Sequence, residues 1–189
     1  MAESKSNLAT EGLSGQVGNF VFRRRKADGK VFVSVHPSEN QGDPTEAQQK
    51  VRSDFQEAVI YGKSVNADPV RKAAYAEKAS PGQSAYNVAV ADYFNAPSIH
   101  DIDLSNYNGQ VGSIIRIKVT DDFKVAKVQV KIANTDGSEV EVGEAVLEKD
   151  NNLYWLYTAT KLNASPTGDK ITVTAWDNPG NSTVKEKEL

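Results

Sequence analysis

The densest charge in this sequence is the run Arg23, Arg24, Arg25 and Lys26. Guanidinium and ammonium groups packed this closely suit phosphate or carboxylate, and arginine can grip either one bidentately. Phe20, Phe22 and Phe32 flank the run, an arrangement on which nucleic-acid bases can stack. The whole-chain charge argues against nucleic acid as a partner. With 22 basic against 25 acidic residues and a net charge of −3, the chain lacks the broad basic surface such binding needs. An acidic protein surface is the better-matched partner. The plain alternative is a solvated hairpin tip, because alternation along a strand sends successive residues to opposite faces.

Asp101, Asp103, Asp121, Asp122 and Asp177 form a second group. Calcium takes several carboxylate and carbonyl oxygens, and these five suit it if a fold gathers them. No loop shows the Asp-x-Asp-x-Asp-Gly order with a closing Glu. Turn-forming aspartate, bonding to nearby backbone amides, explains the same residues without a metal.

The sequence offers little to catalysis. Cysteine is absent, so there is no thiolate nucleophile, disulfide or cysteine metal site. His36 and His100 are the only histidines. Neither a Gly-x-Ser-x-Gly elbow nor a His-Glu-x-x-His pair occurs. The glycine-rich stretch Gly12 to Gly18 lacks the Lys-Ser/Thr of a phosphate loop and does not follow a strand. These observations predict a non-enzymatic protein with no cofactor and no metal site.

The elements that must position these residues fall into four regions. Residues 1–18 are small and polar, with Gly12, Gly15 and Gly18, and read as a flexible arm. Residues 19–37 read as a β-hairpin. Phe20 and Phe22 alternate with Val21, and Val31, Val33 and Val35 alternate with Phe32 and Ser34. Asp28-Gly29 supplies the turn, and Pro37 ends the second strand. Residues 43–96 read as helical. Asp43 is a candidate N-cap with Pro44 after it and Glu46 at capping-box spacing, and Gly62 is a candidate stop. Asp68-Pro69 opens a second helix. Residues 84–97 give a third, apolar on most faces, which something must cover.

From residue 98 to 189 the apolar period changes to two. Short runs alternate with turn clusters at 134–137, 150–152 and 165–169, the pattern of an antiparallel sandwich. Trp155 and Trp176 read as its core anchors. The fold class expected is therefore multi-part α+β: arm, hairpin, short helical region and a C-terminal antiparallel β-sandwich. A hydrophobic fraction of 39% supplies enough apolar residues for such a core. No stretch reaches the roughly 18 apolar residues of a membrane span. The polar N-terminus lacks the apolar region of a secretory signal, so the expected location is the cytoplasm or an assembled particle.

The segments at 114–132 and 171–181, the latter carrying Ala175-Trp176-Asp177-Asn178-Pro179-Gly180-Asn181, resemble bacterial immunoglobulin-like or fibronectin-type-III-like domains. That resemblance implies a two-sheet sandwich and no particular activity. Gly15, Gly18 and Asn19, then the basic hairpin, then the Gln-containing segment from Thr45 to Phe55, resemble uncharacterised bacterial and phage-associated structural proteins. That resemblance implies an assembly component.

The hairpin poses the functional question. Two strands alone are marginal in water, so Phe20, Phe22, Val31, Val33 and Val35 need cover. The expectation is that other copies of the chain provide it, with Arg23, Arg24 and Arg25 setting register against acids on the neighbour, in the region Glu139–Glu144. The chain would then be a subunit of a filament, phage particle or tail-like assembly. The alternative is a monomeric immunoglobulin-like module whose loops recognise a protein or glycan.

Overall fold

A computed structural model describes residues 2–4, 12–26, 28–36, 42–149 and 151–189. Pro37, Asp150 and most of the leader therefore lie outside the described residues. The chain divides into two compact units, Met1–Val51 and Arg52–Leu189.

The first unit is built on an antiparallel sheet of β1 (Ala2–Ser4), β2 (Gly15–Val17), β3 (Phe20–Arg24) and β4 (Val31–Val35), in the order β1-β4-β3-β2. The hairpin β3–β4 pairs Phe20 with Val35 and Arg24 with Val31. Its loop closes through Arg25 N donating to Lys30 O at 2.9 Å and Gly29 N to Arg25 O at 2.8 Å. Gly29 sits at φ +71°, a conformation that costs glycine nothing. The leader is not simply an arm. Two of its stretches are strands that flank the hairpin. Gly18 at φ +57° opens the two-residue turn between β2 and β3.

Helix α1 (Glu46–Ala67) starts two residues later than its Asp43-Pro44 opening suggests. Its capping box is Thr45 and Gln48, not Asp43 and Glu46. Thr45 Oγ1 accepts from Gln48 N at 3.3 Å, and Gln48 Oε1 accepts from Thr45 N at 3.0 Å. Nor does Gly62 end the helix. It is buried in mid-helix, where a Cβ would stand 2.8 Å from Val90 Cγ2 and 2.9 Å from Tyr86 Cε2. The missing side chain lets α3 (Ala85–Asp92) approach closely. The short α2 (Pro69–Glu77) is capped as its sequence predicts: Asp68 accepts from Val70 N and Arg71 N, and Pro69 follows. Ser84 caps α3. Val65, Tyr75, Ala85 and Ala89 form the small helical core. Tyr75 stacks on Phe123 with centroids 3.7 Å apart, so the helices of the second unit are seated on one end of the strand region.

That strand region is an antiparallel β-sandwich. One sheet is β5 (Ser98–Asp103), β6 (Ile114–Thr120), β10 (Tyr154–Thr158) and β9 (Val146–Leu147), in the order β5-β6-β10-β9. The other is β12 (Ser182–Glu188), β11 (Lys170–Asp177), β7 (Val125–Ala133) and β8 (Glu139–Glu144), in the order β12-β11-β7-β8. Alternate residues of both sheets meet in one core, including Ile115, Ile117, Val130, Ile132, Ile171 and Val173. Trp155 belongs to this core. Trp176 does not: Ile171, Val173 and Ala175 point inward, so the next residue must point out. Its ring lies on the outer face, 5.6 Å from Lys127 Nζ. The carbonyls of β5 are closed by lysines of β12. Lys185 Nζ donates to His100 O at 2.6 Å, and Lys187 Nζ to Ile102 O at 2.6 Å. Charged cover of this kind blocks strand addition at an edge. Among the described residues no helix is long and apolar enough to cross a membrane.

Candidate assembly surface

Residues paired directly across antiparallel strands share a face. In the first unit the register places Val17, Phe20 and Val35 in one row. The next row carries Phe22 and Val33, and the row nearest the hairpin loop carries Arg24 and Val31. Across β2, β3 and β4 one face therefore holds six apolar side chains and one arginine. Arg23 falls on the opposite face with Val21, Ser34 and Phe32, and Arg25, just past β3, lies over the Phe32 ring.

No described residue from 12 to 36 is buried. Val17, Phe20 and Val35 keep 54%, 53% and 60% of their surface exposed. Phe22, Val31 and Val33 are half-buried, as neighbours in one sheet shade one another. In soluble proteins, contiguous exposed apolar faces of this kind are often places where another molecule docks.

The three arginines have different roles. Arg25 is spent inside the hairpin: its Nε donates to Asp28 Oδ1 at 2.8 Å, its Nη2 pairs with Asp28 Oδ2, and its guanidinium lies 5.1 Å from the Phe32 centroid. This bidentate grip holds the Asp28 carboxyl at about 2. Arg23 and Arg24 are exposed. Arg24 shares the apolar face, and its guanidinium lies beside Gly29.

The acids of Glu139–Glu144 are already occupied. Glu139 pairs with Lys131 at 3.5 Å and Glu144 with Lys127 at 2.6 Å. Glu141 is buried, and its Oε2 accepts from Thr160 N at 2.9 Å, Thr160 Oγ1 at 2.8 Å and Lys161 N at 3.2 Å. That carboxylate anchors the segment after β10.

The second unit gathers a different set of acids. Asp121 and Asp122, on the β6–β7 turn, and Asp177, at the end of β11, act on Asp92 in the last turn of α3. Asp101 and Asp103 lie apart from this group on β5. Asp177 is a turn builder: its Oδ1 accepts from Gly180 N at 2.8 Å and Asn181 N at 2.6 Å. Asn181 Nδ2 in turn donates to Asp177 Oδ2 at 2.8 Å and to Tyr93 O at 3.0 Å. The Asp-x-x-Gly-Asn pattern thus fastens a β-turn to the helices. Asp122 Oδ2 accepts from Asn95 Nδ2 at 2.7 Å.

Asp92 is 2% exposed, and its Oδ2 accepts from Tyr75 OH at 2.6 Å. Its Oδ1 and Asp121 Oδ1 are buried without hydrogen-bond partners. Burial, opposed by the Tyr75 hydrogen bond and reinforced by the charges of Asp121, Asp177 and Asp122, pushes Asp92 up to about 6. Burial also raises Asp121, against the pull of the Lys124 and Phe123 amides. Among the described residues no ion pair engages these four carboxylates, and no three acids or histidines stand close enough to hold a metal ion. The sequence reading missed Asp92. The signal was available: an acid in the last turn of an apolar helix opposes the helix dipole and must have a local reason.

Beside this cluster a cavity of about 550 Å³ opens between α2, the β6–β7 turn and the β9–β10 turn. Asp121, Phe123, Leu153 and Trp155 line it, with Glu77, Lys78 and Lys124. His100 plays no part there. It is exposed on β5, with Nε2 2.6 Å from Thr120 Oγ1.

No family model matches the chain, and no curated protein matches it. Among solved structures, CopC from Methylosinus trichosporium OB3b is similar at 16% identity over 48% of this chain and 87% of that one, with a TM-score of 0.35. An engineered protein solved at 1.98 Å is similar at 17% identity over 58% of this chain and 30% of that one, with a TM-score of 0.34.

Proposed function

We propose that this chain is a non-enzymatic structural subunit that associates with further copies of itself through the sheet of β1–β4, building a filament, phage particle or tail-like assembly. One observation carries the reading: Phe20, Phe22, Val31, Val33 and Val35 share one face with Val17, and nothing described in that region is buried. At about 25 cal/mol per Å² of apolar surface, covering such a face repays association, whereas leaving it in water forgoes that gain. The sandwich supports the same division of labour. Its core is complete, and β12 lysines cap the carbonyls of its β5 edge, so it serves as a body.

The test is Phe20→Asp in the full chain, followed by sedimentation velocity and negative-stain electron microscopy. The charge falls on the exposed face and leaves the backbone ladder intact. The expected result is a wild-type chain that forms large species with increasing concentration and a variant that stays monomeric with an unchanged melting curve. A wild-type chain that is monomeric at every concentration overturns the reading and favours a monomeric binding module.

A further inference from the structure

The cavity between α2 and the β6–β7 turn has no part in the assembly reading, and its lining describes a ligand. Two residues that line it carry leftover polar atoms of opposite kind. Trp155 is 8% exposed, and its indole Nε1–H has no acceptor. Asp121 has a buried Oδ1 with no donor. Its other oxygen, Oδ2, accepts from the amides of Phe123 at 3.2 Å and Lys124 at 2.8 Å, which hold the carboxylate in place. Buried polar groups as a rule have partners. Here one needs an acceptor and the other a donor, and a hydroxyl group is both. Charge selects no ion. Glu77 and Asp121 stand against Lys78 and Lys124, and among the described residues none of the four is in an ion pair. Phe123, Leu147 and Leu153 supply apolar wall. At about 550 Å³ the cavity falls within the range of small-ligand sites, roughly 300–1,000 Å³.

We propose that this cavity binds a neutral saccharide, one or two sugar rings in size. A sugar ring carries adjacent hydroxyls on its rim and aliphatic C–H groups on its faces. Its hydroxyls accept from Trp155 Nε1–H and donate to Asp121 Oδ1. Its C–H faces pack on Phe123, Leu147 and Leu153. Phe123 is steadied for this contact by its stack on Tyr75, with centroids 3.7 Å apart. Glu77, Lys78, Lys124 and Asn152 are exposed lining residues, and they offer donors and acceptors to the remaining hydroxyls. An anionic ligand would be opposed by Asp121, and a cationic group would leave Nε1–H without an acceptor. A neutral hydroxylated ring conflicts with neither. The site is built entirely from the second unit, so it stands whether or not the chain assembles.

The experiment follows the indole Nε1–H signals of the two tryptophans by heteronuclear NMR in the full chain, as maltose, cellobiose or lactose is added at millimolar concentration. Trp176→Phe assigns the Trp155 signal. Trp176, on the outer face of the sandwich, is the internal control. At least one of these sugars is expected to shift the Trp155 signal saturably and to leave that of Trp176 in place. The shift should be the same at low and high salt, because the ligand is uncharged. Asp121→Asn is expected to weaken binding by about tenfold. Leu153→Arg, which puts a long side chain into the cavity from an exposed position, is expected to abolish binding with an unchanged melting curve. Glycerol, which has hydroxyls but no ring face, should give no saturable shift. The proposal is overturned if none of the three sugars moves the Trp155 signal, or if both indole signals move alike. It is equally overturned if glycerol matches the sugars, or if Leu153→Arg binds as the wild type does.

Discussion

The sheet of β1–β4 and the sheet of β12-β11-β7-β8 have the same number of strands and the same antiparallel pairing, yet they differ in what covers them. The second packs against a partner sheet, and Val128, Val130, Ile132, Ile171 and Val173 are fully buried. The first also carries an apolar face, built of valine and phenylalanine, and none of its described side chains from 12 to 36 is buried. Hydrophobic type and period therefore determine that a strand forms with one greasy face, and say nothing about whether the same chain covers it. Cover requires a second layer, and that is the physical difference between the body of this protein and its proposed adhesive.

The comparison breaks first, and by the largest margin, at the sandwich core. Ile132→Ala removes a fully buried side chain from between the sheets and is expected to cost about 2–5 kcal/mol in urea unfolding. A loss under about 1 kcal/mol would mean that this interior is no better packed than the exposed sheet.

The seam between helices and sandwich comes next. Asp92 has a folded value raised from the ordinary 3.8 to about 6, so the folded chain holds this proton more tightly than the unfolded one. The stabilisation is fully present below about pH 4 and is lost as pH rises through about 6. The loss at neutral pH amounts to about 3 kcal/mol at most. Asp92→Asn keeps an acceptor for Tyr75 OH and removes the charge. It is expected to raise the melting temperature at pH 7–8 and to flatten the pH dependence between 4 and 6. An unchanged slope in that window would show that another group carries it.

A smaller effect tests close packing on β8. A Cβ at Gly143 would stand 2.7 Å from Tyr157 Cε2 and 3.1 Å from its hydroxyl, and Tyr157 is buried. Gly143→Ala is expected to destabilise by about 1–3 kcal/mol. A neutral result in thermal melts would show that the tyrosine ring can move aside.

Much of this arrangement was legible in the residues. The hairpin declared itself through alternation around Asp28-Gly29, and α2 through Asp68-Pro69. The missed strands share a cause: their pairing is not written in their side chains. β1 and β2 are three residues each, polar or glycine-bearing, and become strands only because β4 and β3 offer hydrogen bonds. β5 was hidden by a register shift between Ile99 and Asp101. Ile99 and Ile102 are both buried although three residues apart, so the bulge interrupts the period of two within the strand. Trp176 was misplaced because residue type was weighed above parity, although the inward alternation of Ile171, Val173 and Ala175 already assigned it outward. The acid cluster was half legible. Asp121, Asp122 and Asp177 are near turns in the sequence, but only the fold brings Asp92 to them.

The smallest expected effect sharpens the comparison most. Phe20→Ala removes a larger apolar side chain than Ile132→Ala does, yet from a site 53% exposed. In dilute solution, where the chain is monomeric, its stability change is expected to stay within about 0.5 kcal/mol. Amide hydrogen exchange in β3 and β4 should be fast there, and slow in β7 and β11, because only the latter pair sits in a covered layer. At concentrations where the chain associates, β3 and β4 should gain protection in the wild type and fail to gain it in Phe20→Ala. A large stability loss in the monomer would mean that the first sheet is covered within one molecule, and the distinction between body and adhesive would disappear.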